Sequence, residues 1–163
     1  MWYIVGIFIA FVIFGLLFGG GSGSSGGHGC LAAGNQVLTS SGSVNVESLK
    51  KGDLIKSFDY ETGNQVEGKI LEVQVGSQPV IHEFHLANGA RLDTSPTQRV
   101  RVNGLWIRAK NLKVGMRIGH SEIIRLSTRQ GPEPVYTFVL EPIDNFIVRC
   151  GDEDIVCHDN STP

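Results

Sequence analysis

Leu49-Lys50-Lys51-Gly52-Asp53-Leu54-Ile55 is answered further along the chain by Leu112-Lys113-Val114-Gly115-Met116-Arg117-Ile118, with leucine, lysine, glycine and isoleucine in register. A turn glycine precedes each copy, Gly42 in one case and Gly104 in the other. A short turn followed by a glycine-led strand is the plainer reading of each segment, since seven positions can match by chance. The other reading is a duplicated β unit whose halves pack about a pseudo-twofold axis, although two copies are fewer than a solenoid needs.

The surrounding pattern is β throughout. Short runs rich in Val, Ile and Phe recur, interrupted by the turn signals Glu61-Thr62-Gly63-Asn64, Asn88-Gly89 and Asn103-Gly104. Strands are expected near Gln36 to Thr39, Leu54 to Tyr60, Val66 to Val75, Val80 to Leu86, Arg91 to Thr94 and Gln98 to Val102. Further strands are expected near Leu105 to Ala109, Glu122 to Ser127, Val135 to Leu140, Asn145 to Val148 and Ile155 to Cys157. No helical period competes. Strands this short and numerous imply an all-β meander closed on itself rather than an α/β sheet.

Composition limits what such a chain can be. With 163 residues, 41% hydrophobic content and a net charge of −2, it can bury one ordinary core. Fourteen Lys and Arg against sixteen Asp and Glu give no overall basic excess, so nucleic acid is not an expected partner. Three cysteines, Cys30, Cys150 and Cys157, are too few for a disulfide framework and leave the compartment open.

Working outward to the amino terminus, Trp2 to Phe18 reads WYIVGIFIAFVIFGLLF, with no charged side chain. As a helix it would be about 26 Å long, near the ~30 Å hydrocarbon thickness. Residues 1–20 are therefore read as a transmembrane helix or signal anchor, making the protein single-pass and placing residues 2–18 in the membrane. A cleaved signal peptide is the competing reading; against it, no Lys or Arg precedes the run and no A-x-A site follows. The first following Lys or Arg is Lys50, too distant to set the side of the membrane. Gly19 to Gly29, GGGSGSSGGHG, is a flexible spacer, so residues 21–29 form a linker. Residues 30–160 form the folded domain and 161–163 a tail.

Cys30 opens that domain. Its thiol lies close enough in the covalent chain to attack the Gly29 carbonyl through a five-membered ring, which would make the chain its own substrate.

The line from Cys30 through Gly42, Leu49, Gly52 and Asp53 resembles the amino-terminal block of the Hint domain, the self-processing module of hedgehog proteins and inteins. The segment HLANGARLDTSPTQRVRVNGLWIRAKNLKVGMRI is similar to the family's central region, where a Thr-Pro-x-His turn precedes a strand. VYTFVLEPIDNFIV followed by IVCHDN is similar to its final blocks. The resemblance covers about residues 30 to 160 and implies an all-β, pseudo-twofold horseshoe with both chain ends meeting at one site. It also implies that the Cys30 thiol replaces the Gly29 peptide with a thioester, which an acceptor then takes over: a thiol, water, an amine or a sterol-like alcohol. No cofactor is implied.

Several positions depart from the family pattern. Aligning Ser95-Pro96-Thr97-Gln98 on the turn puts Gln98 where the family's proton-donating histidine belongs, and an amide cannot deliver a proton. The cleavage step should then be slow unless another group substitutes. Thr94 or Thr97 could polarise the carbonyl; His82 and His85, on the preceding strand, read more simply as structural residues. Thr137 stands where an acid is usual and Asp144 where a histidine is usual, yet a carboxylate at Asp144 could still orient a donor. His158 matches the penultimate histidine. Asp159 takes the place of the cyclising asparagine, with Asn160 one residue late, and Ser161 could serve as a hydroxyl acceptor. With only three residues left to ligate, cleavage or transfer is expected rather than splicing. Asn160-Ser161-Thr162 also matches a glycosylation acceptor.

Two other classes of function remain open. Cys30, Cys150, Cys157 and His158 would make a tetrahedral zinc set if they converged, but no CxxC pair supports a metal. A catalytically inactive, membrane-tethered binding or structural module is the alternative that Gln98 and Thr137 favour.

Overall fold

The computed structural model describes residues 29–159. The expected membrane segment over 1–20, the linker as far as 28, Asn160 and the tail 161–163 lie outside those residues. Among the described residues no helix is long and apolar enough to cross a membrane.

The described chain is built from strands and two single-turn 3-10 segments. In order the strands are β1 (Leu31–Ala32), β2 (Gln36–Thr39), β3 (Gly42–Asn45), β4 (Leu54–Asp59), β5 (Asn64–Leu86) and β6 (Arg91–Thr94). They continue as β7 (Arg99–Val102), β8 (Leu105–Arg108), β9 (Arg117–Ile118), β10 (Ser121–Glu141), β11 (Asn145–Cys150) and β12 (Glu153–His158). The all-β expectation is met, and β2 and β6 fall at their expected bounds. The four separate strands expected over 66–86 and 122–140 are instead two long ribbons, β5 and β10, paired antiparallel nearly end to end across bulges. β1, β3 and β9 are additional short strands.

The duplication is visible in the hydrogen bonds. The hairpin β2–β3 leads into a 3-10 turn at Val46–Ser48, and β7–β8 leads into its counterpart at Ala109–Asn111. Val46 N donates to Asn35 O at 2.8 Å; Ala109 N donates to Gln98 O at 2.7 Å. Leu49 N donates to Val46 O, as Leu112 N does to Ala109 O. Gly52 N donates to Ile70 O at 2.8 Å and Gly115 N to Ile123 O at 2.9 Å. Both glycines are left-handed, at φ +92° and +94°, the region where a Cβ is costly, so a glycine recurs at both turns. The two copies therefore share fold as well as sequence, and Asn35 is the duplicate of Gln98.

One sheet runs β4-β5-β6-β1-β10-β9, the other β3-β2-β11-β12-β7-β8. Because β5 also pairs with β10, the strands β5, β6, β1 and β10 close into a ring. Arg129 on β10 ties that ring together, reaching Glu83 on β5 at 3.0 Å, Asp93 on β6 at 2.7 Å and Glu133 at 2.6 Å. The main core lies between the layers. Its largest members include Phe84, Phe138 and Phe146, the last two meeting edge-on at 5.3 Å between centroids. Cys150 and Cys157 belong to this core, whereas Cys30 packs in a separate small cluster with Ala32, Ile81 and Val135.

Phe138→Ala leaves a void that this rigid β framework cannot close, and should cost about 3–5 kcal/mol. Urea denaturation monitored by Trp fluorescence measures it; a loss under about 1 kcal/mol would mean that the two sheets can slide together.

Candidate functional site

The first folded residues sit between two strands. Leu31 pairs with Tyr136 of β10 on one side and Thr94 of β6 on the other. Just before this pairing, the amide of the Gly29–Cys30 peptide donates from Cys30 N to Ser95 Oγ at 3.0 Å, and Ser95 N returns a bond to Cys30 O at 2.9 Å. Ser95 is fully buried and its hydroxyl lies 3.4 Å from Thr97 Oγ1. The sequence reading did not single out Ser95. The available signal was its place at the head of the Ser95-Pro96-Thr97-Gln98 turn, two residues before Thr97.

Gln98 joins the two chain ends. Its Nε2 donates to His158 O at 3.0 Å and to Arg99 O at 2.9 Å, so both amide hydrogens are committed to carbonyls. Its Oε1 is buried with no hydrogen-bond partner among the described residues. That oxygen is turned toward Gly29: a Cβ on Gly29 would lie 2.9 Å from Oε1 and 2.4 Å from Gln98 Cα. Gln98 therefore presents an acceptor, not a donor, to the residue that would carry the acyl group. With both amide hydrogens on other carbonyls, Gln98 has no donor left for the Gly29 carbonyl.

The Cys30 thiol is buried, and burial pushes it up to about 12. Burial likewise pushes Cys150 up to about 12, with Asp93 adding to the effect. No disulfide joins the three cysteines. Among the described residues no group of three or more His, Cys, Asp or Glu side chains could hold a metal, so the Cys30, Cys150, Cys157 and His158 set does not converge.

At the carboxyl end, His158 is almost fully buried beneath the edge of Trp106, whose ring centroid is 4.9 Å away. Its Nε2 lies 3.3 Å from Asp144 Oδ2 and its Nδ1 2.8 Å from Asp159 O. Asp144 is held opposite it because Asp159 N donates to Asp144 O at 2.8 Å. The Asp159 carboxylate accepts from Leu140 N at 2.8 Å through Oδ2, while its Oδ1 lies 3.7 Å from His158 Nδ1.

The expected site residues thus divide. Gly29, Gln98, His158, Asp159 and Asp144 form one continuous chain of contacts, and Cys30, Ser95 and Thr97 form a second that meets it at the Gly29–Cys30 peptide. Thr94 is spent on the backbone, donating from Oγ1 to Ser95 O at 2.8 Å. Thr137 is buried with its hydroxyl lacking a partner among the described residues, so nothing there replaces the usual acid. His85 is taken up by Ser127 and Arg125, at 2.7 and 3.2 Å, and His82 stacks on Phe84. Both histidines are structural.

Gly29→Ala should push the peptide off Gln98 and break the Cys30–Ser95 bond, because the closest clash is with backbone. Amide hydrogen exchange at Cys30 should quicken by tenfold or more. Unchanged protection would show that the strand bearing Gln98 yields instead.

No protein-family model matches the chain, and no curated protein does. Solved structures do. A bacterial intein-like domain from Clostridium thermocellum superposes with a TM-score of 0.72 at 22% identity, over 80% of this chain and 98% of that one. A DnaB intein from Synechocystis gives 0.68 at 16% identity, over 80% and 98%. The gp41-1 intein gives 0.64 at 19% identity, again over 80% and 98%. The duplicated halves, the meeting chain ends and these superpositions together establish that the described chain has the intein-like Hint fold.

Proposed function

We propose that the domain processes its own chain. The Cys30 thiol loses its proton and its sulfur attacks the Gly29 carbonyl; the Gly29–Cys30 amide breaks, and its nitrogen takes up a proton to leave as the free amine of Cys30. The product is a thioester between Gly29 and the Cys30 sulfur, with no atom lost. A thiol, water or another nucleophile then takes the acyl group and frees the domain. The observation that supports this reading best is the hydrogen bond from the Cys30 amide to Ser95, in the same turn whose Gln98 reaches His158.

Two features make the step slow. A thiol pushed up to about 12 is roughly a thousandfold less ionised at neutral pH than one near its ordinary value of 9.0. The leaving nitrogen faces a serine hydroxyl, far too weak an acid to match a histidine. A missing general acid costs roughly 10²–10⁴ in rate. The competing reading, an inactive Hint-fold module, draws on the Gln98 amide being spent on two carbonyls.

Intact mass of the full chain, incubated with and without added thiol beside Cys30→Ala, tests the proposal. Thiol-dependent scission between Gly29 and Cys30, absent in the variant, is expected. No fragment over several days would favour the inactive module. Gln98→His should raise the rate by roughly 10²–10⁴.

The sign of the pH dependence follows from the direction of the thiol shift. Burial favours the neutral thiol, so thiolate forms only as pH rises toward about 12. Cleavage should accelerate about tenfold per pH unit from neutrality upward, without a plateau below pH ~10. A plateau near neutrality, followed by the same mass measurement, would show that another group ionises the thiol.

A further inference from the structure

The near-even charge of the whole chain conceals one lopsided region. From Ser95 to His120 the sequence carries Arg99, Arg101, Arg108, Lys110, Lys113 and Arg117, and no Asp or Glu. Arg108, Lys110, Lys113 and Arg117 are exposed, and none of them forms an ion pair with a described residue. Arg101 is occupied differently, its guanidinium lying 4.3 Å from the Tyr60 ring centroid and 5.1 Å from that of Trp106.

The same region carries the two most exposed large apolar side chains among the described residues. Leu105, at the tip of the β7–β8 hairpin, is 65% exposed, and Val114, in the turn before β9, is 58% exposed. The tip and the turn are neighbours: Asn103, Leu105, Ile107, Gly115, Met116 and Arg117 line one groove between them. Leu105 and Arg117 line this groove, Lys113 and Val114 lie in the turn just before Gly115, and Glu122 is the cross-strand partner of Arg117. In the duplicate half the equivalent groove is lined by four hydroxyl residues and Asp53 together with Val44, Leu49 and Leu54. The duplicate turn also carries exposed lysines, Lys50 and Lys51, but its groove has Asp53 at the position that Met116 takes here.

We propose that this face, comprising the β7–β8 tip and the turn at 113–117, docks on an anionic lipid surface. Aliphatic prongs enter the headgroup boundary to a depth of about 5–10 Å while Lys113 and Arg117 pair with lipid phosphates and carboxylates. Lipid fits better than nucleic acid, because no aromatic ring is offered at the tip for base stacking. Trp106, the aromatic residue of β8, is turned inward over His158.

The chain length outside the described residues allows this docking. Gly29 lies against Gln98, at the base of this same hairpin, where Gln98 O accepts from Ala109 N. Four-residue strands place the tip roughly 13 Å from that base. The Gly/Ser spacer from Gly19 to Gly29 can extend to roughly 36 Å, so an apolar segment ahead of it could lie in the bilayer that the tip touches. The proposal does not depend on autoprocessing, since none of its residues belongs to the candidate site.

Hydrogen exchange on the full chain, mixed with vesicles of phosphatidylcholine alone or with about one third phosphatidylserine, tests it locally. Amides 103–117 should exchange at least tenfold more slowly with the anionic vesicles only. The protection should disappear in Leu105→Ser/Val114→Ser and in about 1 M salt, and Lys113→Gln/Arg117→Gln should weaken docking by roughly 30-fold. Equal exchange with both vesicle types would overturn the proposal. So would slowing by soluble RNA without any by the anionic vesicles, a result that would assign the face to nucleic acid.

Discussion

The structure depends on a reciprocal pair of bonds at the first residue of the domain. Cys30 N donates to Ser95 Oγ while Ser95 N donates to Cys30 O. This pair locks the entering chain against β6 and lets Leu31 fill the gap between β6 and β10, closing the strand ring. It also fixes the peptide that precedes the domain. The same constraint that completes the fold thus holds the Gly29–Cys30 amide, so the chemistry at this junction cannot be altered without touching the closure of the ring.

Duplication explains why the site falls where it does. Asn35 and Gln98 occupy equivalent positions, each accepting through its backbone oxygen from the 3-10 turn beyond the following hairpin. In the first copy the Asn35 amide donates to Ala32 O and Asp93 O, a local and cross-copy tie that is purely structural. In the second copy the longer Gln98 side chain reaches His158 O instead, tying the last strand to the residue that packs against Gly29. One structural position has therefore been turned into a junction between chain ends. A histidine there would exchange a carbonyl-directed amide for a titratable ring; glutamine retains the tie and gives up the proton.

Much of this fold can be read in the sequence, and the gaps have physical causes. The repeated Leu-Lys-x-Gly segments gave the duplication, because a left-handed glycine is required at both turns. β2 and β6 could be bounded because strand-forming residues end there at Asn35 and Ser40 in one case and Ala90 and Ser95 in the other. The two long ribbons are expected from sequence as four separate strands, and Gly76-Ser77-Gln78-Pro79 and Gly131-Pro132 lie in the gaps between them. Pairing between β5 and β10 carries both strands through these residues with register shifts, a tertiary effect that overrides local propensity. β1 and β9, at two residues each, carry no period to detect.

At the site, legibility follows sequence separation. Cys30 and Gly29 are adjacent, so their relation was plain from covalent geometry. Ser95 was missed because its importance lies in a bond to a residue far away in sequence, and serine in a Pro-containing turn already has an ordinary explanation. The face with Leu105, Val114 and Lys113 was hidden for a related reason: averaging charge over the chain cancels Lys113 against acids such as Glu61 and Glu67, which lie in the other copy. Charge acts over roughly a Debye length of 8–10 Å, not over a chain. The relevant balance is thus that of a folded surface, and this surface exists only once the β7–β8 tip and the turn before β9 have come together.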